Sequence, residues 1–388
     1  MKNSLGNPAR GEAFYPRETE VRKIYRVLDK GTSIYLSAPR RVGKTSILKH
    51  IEEFPQEGYF FVYVITESVD SENEFFKVIF EALIRSEAIG KLSKLYDSIK
   101  GGIESVLGRV KTVYHVEIRE KGETDYFQIL TDLFENIKPE FGHVVILIDE
   151  FPQTIQNILN RDGTKAAEHF IQKNRELRHH KHVLDKIHFV YTGSLSLFPM
   201  VEKVTELTAV NDLRTVEVAP LSLGEAQDFL TRLLEYDKVS LVEPLIRYVL
   251  EKMGWLIPFH LQLIAQEIVD VFEANEGESI TEASIDQAFD QIVHLRNKPQ
   301  FEPYFARLAA LFKGSEYNFV FDVLENIAIR DSIVMDVVFD FGVKHSVEEV
   351  RRIMDILEGD GYLFKTEDKS YRYTSPILQM WCRKHICK

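Results

Sequence analysis

The segment Ser37-Ala38-Pro39-Arg40-Arg41-Val42-Gly43-Lys44-Thr45-Ser46 constrains this chain more than any other. The apolar run Ser33-Ile34-Tyr35-Leu36 precedes it, and the helix-like run Ile47-Leu48-Lys49-His50-Ile51 follows. A strand, a tight loop ending in Gly-Lys-Thr and a helix make the layout of a phosphate-binding P-loop. The physics is local. Unpaired N–H groups at a helix N-terminus, at the positive end of its dipole, hold a polyphosphate without a dedicated cage. Gly43 lets the backbone approach without a Cβ in the way. Lys44 is expected on the β- and γ-phosphates, and the Thr45 hydroxyl on Mg²⁺. Ala38 stands where the usual pattern has its first glycine, a mild departure because alanine is the smallest alternative. Ala38, Pro39, Arg40, Arg41, Val42, Gly43, Lys44, Thr45 and Ser46 are therefore the candidate phosphate cradle.

A second run completes the expectation. His143-Val144-Val145-Ile146-Leu147-Ile148-Asp149-Glu150 reads as a fully buried parallel strand that delivers two carboxylates at its C-terminal end. Ligands of open α/β sheets bind at that end. Asp149 is expected to hold Mg²⁺ and Glu150 to polarise the attacking water. The adjacent acids argue against a GTPase, whose guanine reader is Asn-Lys-x-Asp. The one Asn-Lys here, Asn297-Lys298, continues as Pro299-Gln300. A third strand, Lys186-Ile187-His188-Phe189-Val190-Tyr191, ends in Thr192-Gly193-Ser194. Thr192 and Ser194 are the candidates for a polar group at the γ-phosphate or the water. A fourth strand, Thr215-Val216-Glu217-Val218, follows Arg214.

Together these residues resemble the AAA+-related P-loop ATPases of the STAND class, and within it the archaeal-type ATPase group with relatives among origin-recognition ATPases. Phe14-Tyr15-Pro16-Arg17-Glu18-Thr19-Glu20 is similar to the group's box near the adenine, with Pro16 replacing a glycine. Pro39-Arg40-Arg41-x-Gly-Lys-Thr is its favoured loop wording, and Asp149-Glu150-Phe151-Pro152 its Walker-B extension. Ala219-Pro220-Leu221-Ser222 looks like the join to a lid. Gly254-Trp255-Leu256-Ile257-Pro258 looks like the start of a lid helix near the nucleotide, and Tyr371 to Leu378 like a wing and terminal helix. The resemblance implies an α/β P-loop core with a parallel sheet over 1–220, a helical lid over 221–297 and a winged helix over 298–388. It implies ATP and Mg²⁺ as cofactors, Arg17 and Pro258 near the nucleotide, and slow ATP hydrolysis coupled to movement of lid and winged helix. Arg214 then stands where such proteins carry an arginine finger toward a neighbour's γ-phosphate, where a guanidinium would stabilise transition-state charge. Lys44, Glu150 and Arg214 are the catalytic candidates.

Composition sets the outer limits. At 388 residues, two or three domains are expected. There is no run of about 18 apolar residues and no apolar signal core near Met1, so neither a membrane span nor a leader is expected. Cys382 and Cys387, the only cysteines, are too few for a metal cage or a disulfide framework and suit a reducing cytoplasm. The net charge of -12 disfavours general nucleic-acid binding. Over 301–388 there are 12 Lys/Arg against 14 Asp/Glu, so the basic footprint of a DNA reader is absent there too. A protein partner or homo-oligomer is the favoured assembly. The alternatives are an ATP-dependent DNA-binding factor and an interaction protein that holds nucleotide without turning it over.

Along the chain, 12–30 reads as a leading helix and 59–65 as another buried strand. Phe75-Phe76-x-x-Ile79-Phe80-x-x-Leu83 follows as an amphipathic helix whose aromatics belong to the core. Residues 86–122 read as an insertion of glycine-broken helical pattern with a short strand over 113–118. The basic, His-rich stretch around His179 and His182 reads as a solvated helix C-terminus rather than a zinc site. Ser346-Val347-Glu348-Glu349 is a capping box, and a hairpin is expected around Glu367-Asp368.

Overall fold

The computed structural model describes residues 1–86, 124–135, 142–181, 183–184 and 187–387. Apart from Ser86, the expected insertion over 86–122 lies outside the described residues. The chain divides into two compact units. One, the sheet unit, comprises Pro16–Ala38 and Lys44–Val218; the other comprises Met1–Tyr15, Pro39–Gly43 and Ala219–Lys388.

The sheet unit begins with helix α1 (Glu18–Leu28), shorter than the 12–30 expected: Gly11–Ala13 form a separate 3₁₀ turn and residues 14–17 are not helical. Strand β1 (Ile34–Ser37) leads to α2 (Lys44–Glu53), then β2 (Tyr59–Ile65), α3 (Glu72–Arg85) and α4 (Tyr126–Glu135). Strand β3 (His143–Asp149) runs into α5 (Phe151–Asp162) and α6 (Thr164–His179). Strand β4 (Ile187–Tyr191), α7 (Leu197–Glu202) and β5 (Arg214–Glu217) complete it. The strands pair in parallel in the order β2-β3-β4-β1-β5. Sheet neighbours are thus far apart in sequence, as helical crossovers between parallel strands require. The run Val144 to Ile148 has zero exposure, which explains why β3 lacks polar alternation. Helix α3 turns Phe75 and Phe76 inward. The Phe75 ring meets Phe170 edge-on at 5.0 Å, and Phe151 packs on Tyr191 at 4.6 Å. Each such fully buried phenylalanine contributes about 1.5–3 kcal/mol.

The other unit carries four helices, α8 (Leu223–Tyr236), α9 (Glu243–Met253), α10 (Pro258–Ala274) and α11 (Glu282–Ile292). Pro258 opens α10, where its missing N–H costs nothing. Next come α12 (Lys298–Leu311), α13 (Ser315–Arg330), β6 (Ile333–Val334), α14 (Met335–Phe341) and α15 (Val347–Gly359). Strands β7 (Leu363–Lys365) and β8 (Ser370–Tyr373) and helix α16 (Pro376–His385) end the described chain. The Ser346 side chain accepts from the Glu349 N–H at 3.2 Å and Glu349 accepts in return at 2.8 Å, the capping box read from sequence. β7 and β8 form the expected hairpin, and β6 joins them to give the antiparallel order β6-β8-β7. Phe301 stacks on Trp381 at 4.4 Å within the core of this unit. Among the described residues no helix is long and apolar enough to cross a membrane.

Candidate nucleotide site

The C-terminal ends of β1, β3 and β4 deliver the site. β1 ends at Ser37 and α2 starts at Lys44. Gly43 has φ 105, a conformation that side-chain-bearing residues rarely adopt, so the glycine is set by the turn itself. The Lys44 ammonium, largely buried, donates to the Ala38 carbonyl at 2.7 Å, across the mouth of its own loop. Residues 39–43 group with the second unit, where the two loop arginines are engaged. Arg40 Nη1 donates to the Pro303 carbonyl at 3.1 Å. The Arg41 guanidinium lies 3.8 Å from the centre of the Phe259 ring and donates to Gln300 Oε1 at 3.3 Å. Arg41 has φ 66, which costs about 1–2 kcal/mol for a residue with a Cβ, and these contacts offset that strain.

Asp149 ends β3 and is 3% exposed. Its Oδ2 accepts from the Thr45 hydroxyl at 2.8 Å and from the Tyr63 hydroxyl at 2.8 Å, and its Oδ1 accepts from the Glu150 N–H at 3.1 Å. Burial and the Asp149 charge push the Tyr63 phenol far above its ordinary range, so it is a donor at every physiological pH. Glu150 adopts the left-handed conformation (φ 65, ψ 30), turning the chain sharply from β3 into α5. Its Oε2 accepts from both the N–H and the hydroxyl of Ser194, each at 2.9 Å. Burial, with Asp149 adding, raises the Glu150 carboxyl above the usual carboxylate range, and the Ser194 hydrogen bonds oppose the rise. Gly193 permits this approach. A Cβ there would lie 2.7 Å from Pro152 Cδ and 3.4 Å from the Glu150 Cα.

The two strand-tip candidates have separate duties. Thr192 has zero exposure and its hydroxyl donates to the Leu36 carbonyl at 2.9 Å, tying β4 to β1. Ser194, two residues on, is the one that meets Glu150. The Arg17 guanidinium is buried and paired with Glu20 at 3.0 Å. Arg214 is the first residue of β5 rather than the residue before it, because its N–H bonds to the Ser33 carbonyl at 2.9 Å. It is exposed and registers with Ile34, at the end of β1 opposite the loop. The sequence carries no motif that marks Tyr63. It sits within an apolar strand, and only its hydroxyl could have marked it.

A hydroxyl and a carboxylate oxygen 2.8 Å apart are hard donors that suit a small divalent cation completed by phosphates and water. No cluster of three or more acidic, histidine or cysteine side chains suited to a metal occurs among the described residues.

A parallel sheet with a Gly-Lys-Thr loop after one strand and an acid pair ending another defines a P-loop ATPase. Residues 14–249 match the family described as an ATPase domain predominantly from Archaea, and the chain belongs to that family. Among solved structures it is similar to the Walker-type ATPase paby2304 of Pyrococcus abyssi, with 18% identity, a TM-score of 0.65, and 99% of this chain and 100% of that chain covered. It is also similar to the Aeropyrum pernix ORC2 protein in its ADPNP–ADP complexes, with 11% identity, a TM-score of 0.53, and coverage of 96% and 97%. Both likenesses speak to the fold. No curated protein sequence matches the chain.

Proposed function

We propose that the chain is a magnesium-dependent, ATP-hydrolysing switch of the AAA+/STAND type. The observation that carries this reading is the single network in which Thr45, Asp149, Glu150 and Ser194 meet. Thr45 and Asp149 would hold Mg²⁺, which neutralises phosphate charge when bound. The loop N–H groups and Lys44 would hold the β- and γ-phosphates; to do so Lys44 exchanges the Ala38 carbonyl for a phosphate oxygen. Glu150 would orient the attacking water through Oε1, because its Oε2 is committed to Ser194. Catalysis of this kind is positioning plus electrostatics, and the left-handed turn at Glu150 and the Gly193 approach supply the positioning.

Arg214, exposed at the opposite end of β1 from the loop, suits a finger that acts on another copy of the chain. A homo-oligomer is the partner this favours. The segment after α12 has the order helix, strand, two helices, hairpin, which we read as a winged helix serving protein contacts, in keeping with its acidic balance. Nucleotide state would then change the positions of the helical and winged-helix parts.

The test is Glu150→Gln. The variant is expected to retain Mg·ATP and to lose turnover. Turnover at the wild-type rate would remove Glu150 from the reaction. Background turnover in the wild type, despite tight ATP binding, would instead favour a nucleotide-bound interaction protein.

A further inference from the structure

We infer that Tyr63 is a positioning residue for the metal-binding carboxylate, holding Asp149 Oδ2 beside the Thr45 hydroxyl. This rests on reading Asp149 and Thr45 as the magnesium ligands.

The argument begins with register. Tyr63 pairs with Leu147 and Ile65 with Asp149 across the parallel β2–β3 pair. Side chains alternate between sheet faces, so Tyr63 and Asp149 share one face. Two residues of strand span about 6.6 Å. The length of a phenol ring crosses that step, and its hydroxyl arrives at Asp149 Oδ2 at 2.8 Å. A phenylalanine at the same place would fill the space but supply no donor.

The ring is itself held by α2, the helix that begins with Lys44 and Thr45. The Lys49 ammonium lies 3.2 Å from the Tyr63 ring centre. Lys49 is paired with Glu52 Oε2 at 2.9 Å, and Glu52 Oε1 accepts the Tyr63 backbone N–H at 3.1 Å. That N–H sits on the outer edge of β2, which is an edge strand of the sheet among the described residues. Lys49, Glu52, Tyr63 and Asp149 thus form one chain of contacts from the P-loop helix to the end of β3. Asp149 Oδ2 has two hydroxyl donors, one from α2 and one from β2. When Thr45 turns lone pairs toward a cation, the Tyr63 donor still fixes the orientation of the carboxylate. Partners of this kind change metal affinity by about 10–100-fold when removed.

The experiment measures binding of a fluorescent ATP analogue as magnesium is titrated, for the wild type, Tyr63→Phe and Asp149→Asn, with thermal melts of all three. Tyr63→Phe is expected to melt within a few degrees of wild type and to bind the analogue equally well in EDTA. Its half-saturating magnesium concentration should be about ten-fold or more higher. Its turnover should recover toward wild type at saturating magnesium, which a merely loosened fold would not show. Unchanged magnesium dependence in Tyr63→Phe, with a clear loss in Asp149→Asn, would overturn the role of Tyr63 alone. Unchanged dependence in both would overturn the metal site beneath it.

Discussion

Ser194 gives Glu150 two hydrogen bonds to a single oxygen, one from its backbone N–H and one from its hydroxyl, both 2.9 Å long. The residues are 44 positions apart and follow neighbouring strands, so the turn after β4 sets the aim of the acid that follows β3. Glu150→Gln is expected to lower single-turnover hydrolysis by about 10²–10⁴-fold with ATP affinity retained. Ser194→Ala keeps the N–H and loses the hydroxyl. A smaller fall, about ten-fold, is expected, again without loss of ATP binding. Equal turnover in Ser194→Ala and wild type would show that the N–H alone suffices.

Lys44 bridges its own loop to the Ala38 carbonyl, the oxygen that the proposed reading has it exchange for a phosphate. Lys44→Ala is expected to weaken ATP binding by about 10–100-fold, the worth of a charged hydrogen bond. Isothermal titration reads this directly, and affinity within two-fold of wild type would remove the lysine from the phosphate site.

If Arg214 serves a neighbouring copy, Arg214→Ala and Lys44→Ala should each be inactive alone and regain part of the activity when mixed. Native mass spectrometry with a non-hydrolysed ATP analogue should then show oligomers. Mixtures as inactive as their components, with monomers throughout, would exclude the finger.

The sheet unit contains a buried ion pair that the site does not use. Arg178 donates to Asp212 through Nε at 2.6 Å and Nη2 at 2.8 Å, and to the Ala209 carbonyl at 3.1 Å, pinning the segment that leads into β5. Asp212→Ala leaves the guanidinium buried without its carboxylate, which costs about 3–5 kcal/mol. In a unit of this size the melting temperature should fall by about 10 °C. A shift of under 2 °C would mean that water reaches Arg178.

His260 in α10 is 1% exposed, its Nδ1 has no hydrogen-bond partner, and its ring lies edge-on to Trp255 at 5.4 Å. Burial, with the nearby Arg41 charge adding, pushes its pKa down to about 3. An unfolded histidine titrates near 6.5, so between these values the unfolded chain binds the extra proton. The stability from a neutral His260 is complete above about pH 6.5 and is lost as pH falls toward 3, by about 1.4 kcal/mol per unit. Urea midpoints at pH 7.5 and 5.5 should therefore differ less in His260→Leu than in the wild type. Equal differences would mean that the imidazole is reached by water.

Several parts of this protein follow from sequence because they are short-range. The Gly-Lys-Thr loop lies between a strand and a helix that are contiguous with it, and the φ of 105 at Gly43 is a property of that turn. The acids of Asp149-Glu150 end an apolar run that had to be a central strand. The Ser346 capping box and the 363–373 hairpin are likewise local chemistry. Tertiary structure decided the rest. Nothing in the string Thr192-Gly193-Ser194 says which hydroxyl serves the site. Strand register points Thr192 at the Leu36 carbonyl, and the close approach at Gly193 brings Ser194 to Glu150. Tyr63 reads as one more apolar strand residue until β2 pairs with β3 and sets its hydroxyl on Asp149, 86 positions away. Residues 1–15 and 39–43 join the unit of the C-terminal helices although they lie far from it in sequence. Backbone geometry and burial periodicity are carried by neighbours in the chain. Which polar atom meets which is fixed by register and packing between segments, and a linear pattern does not contain it.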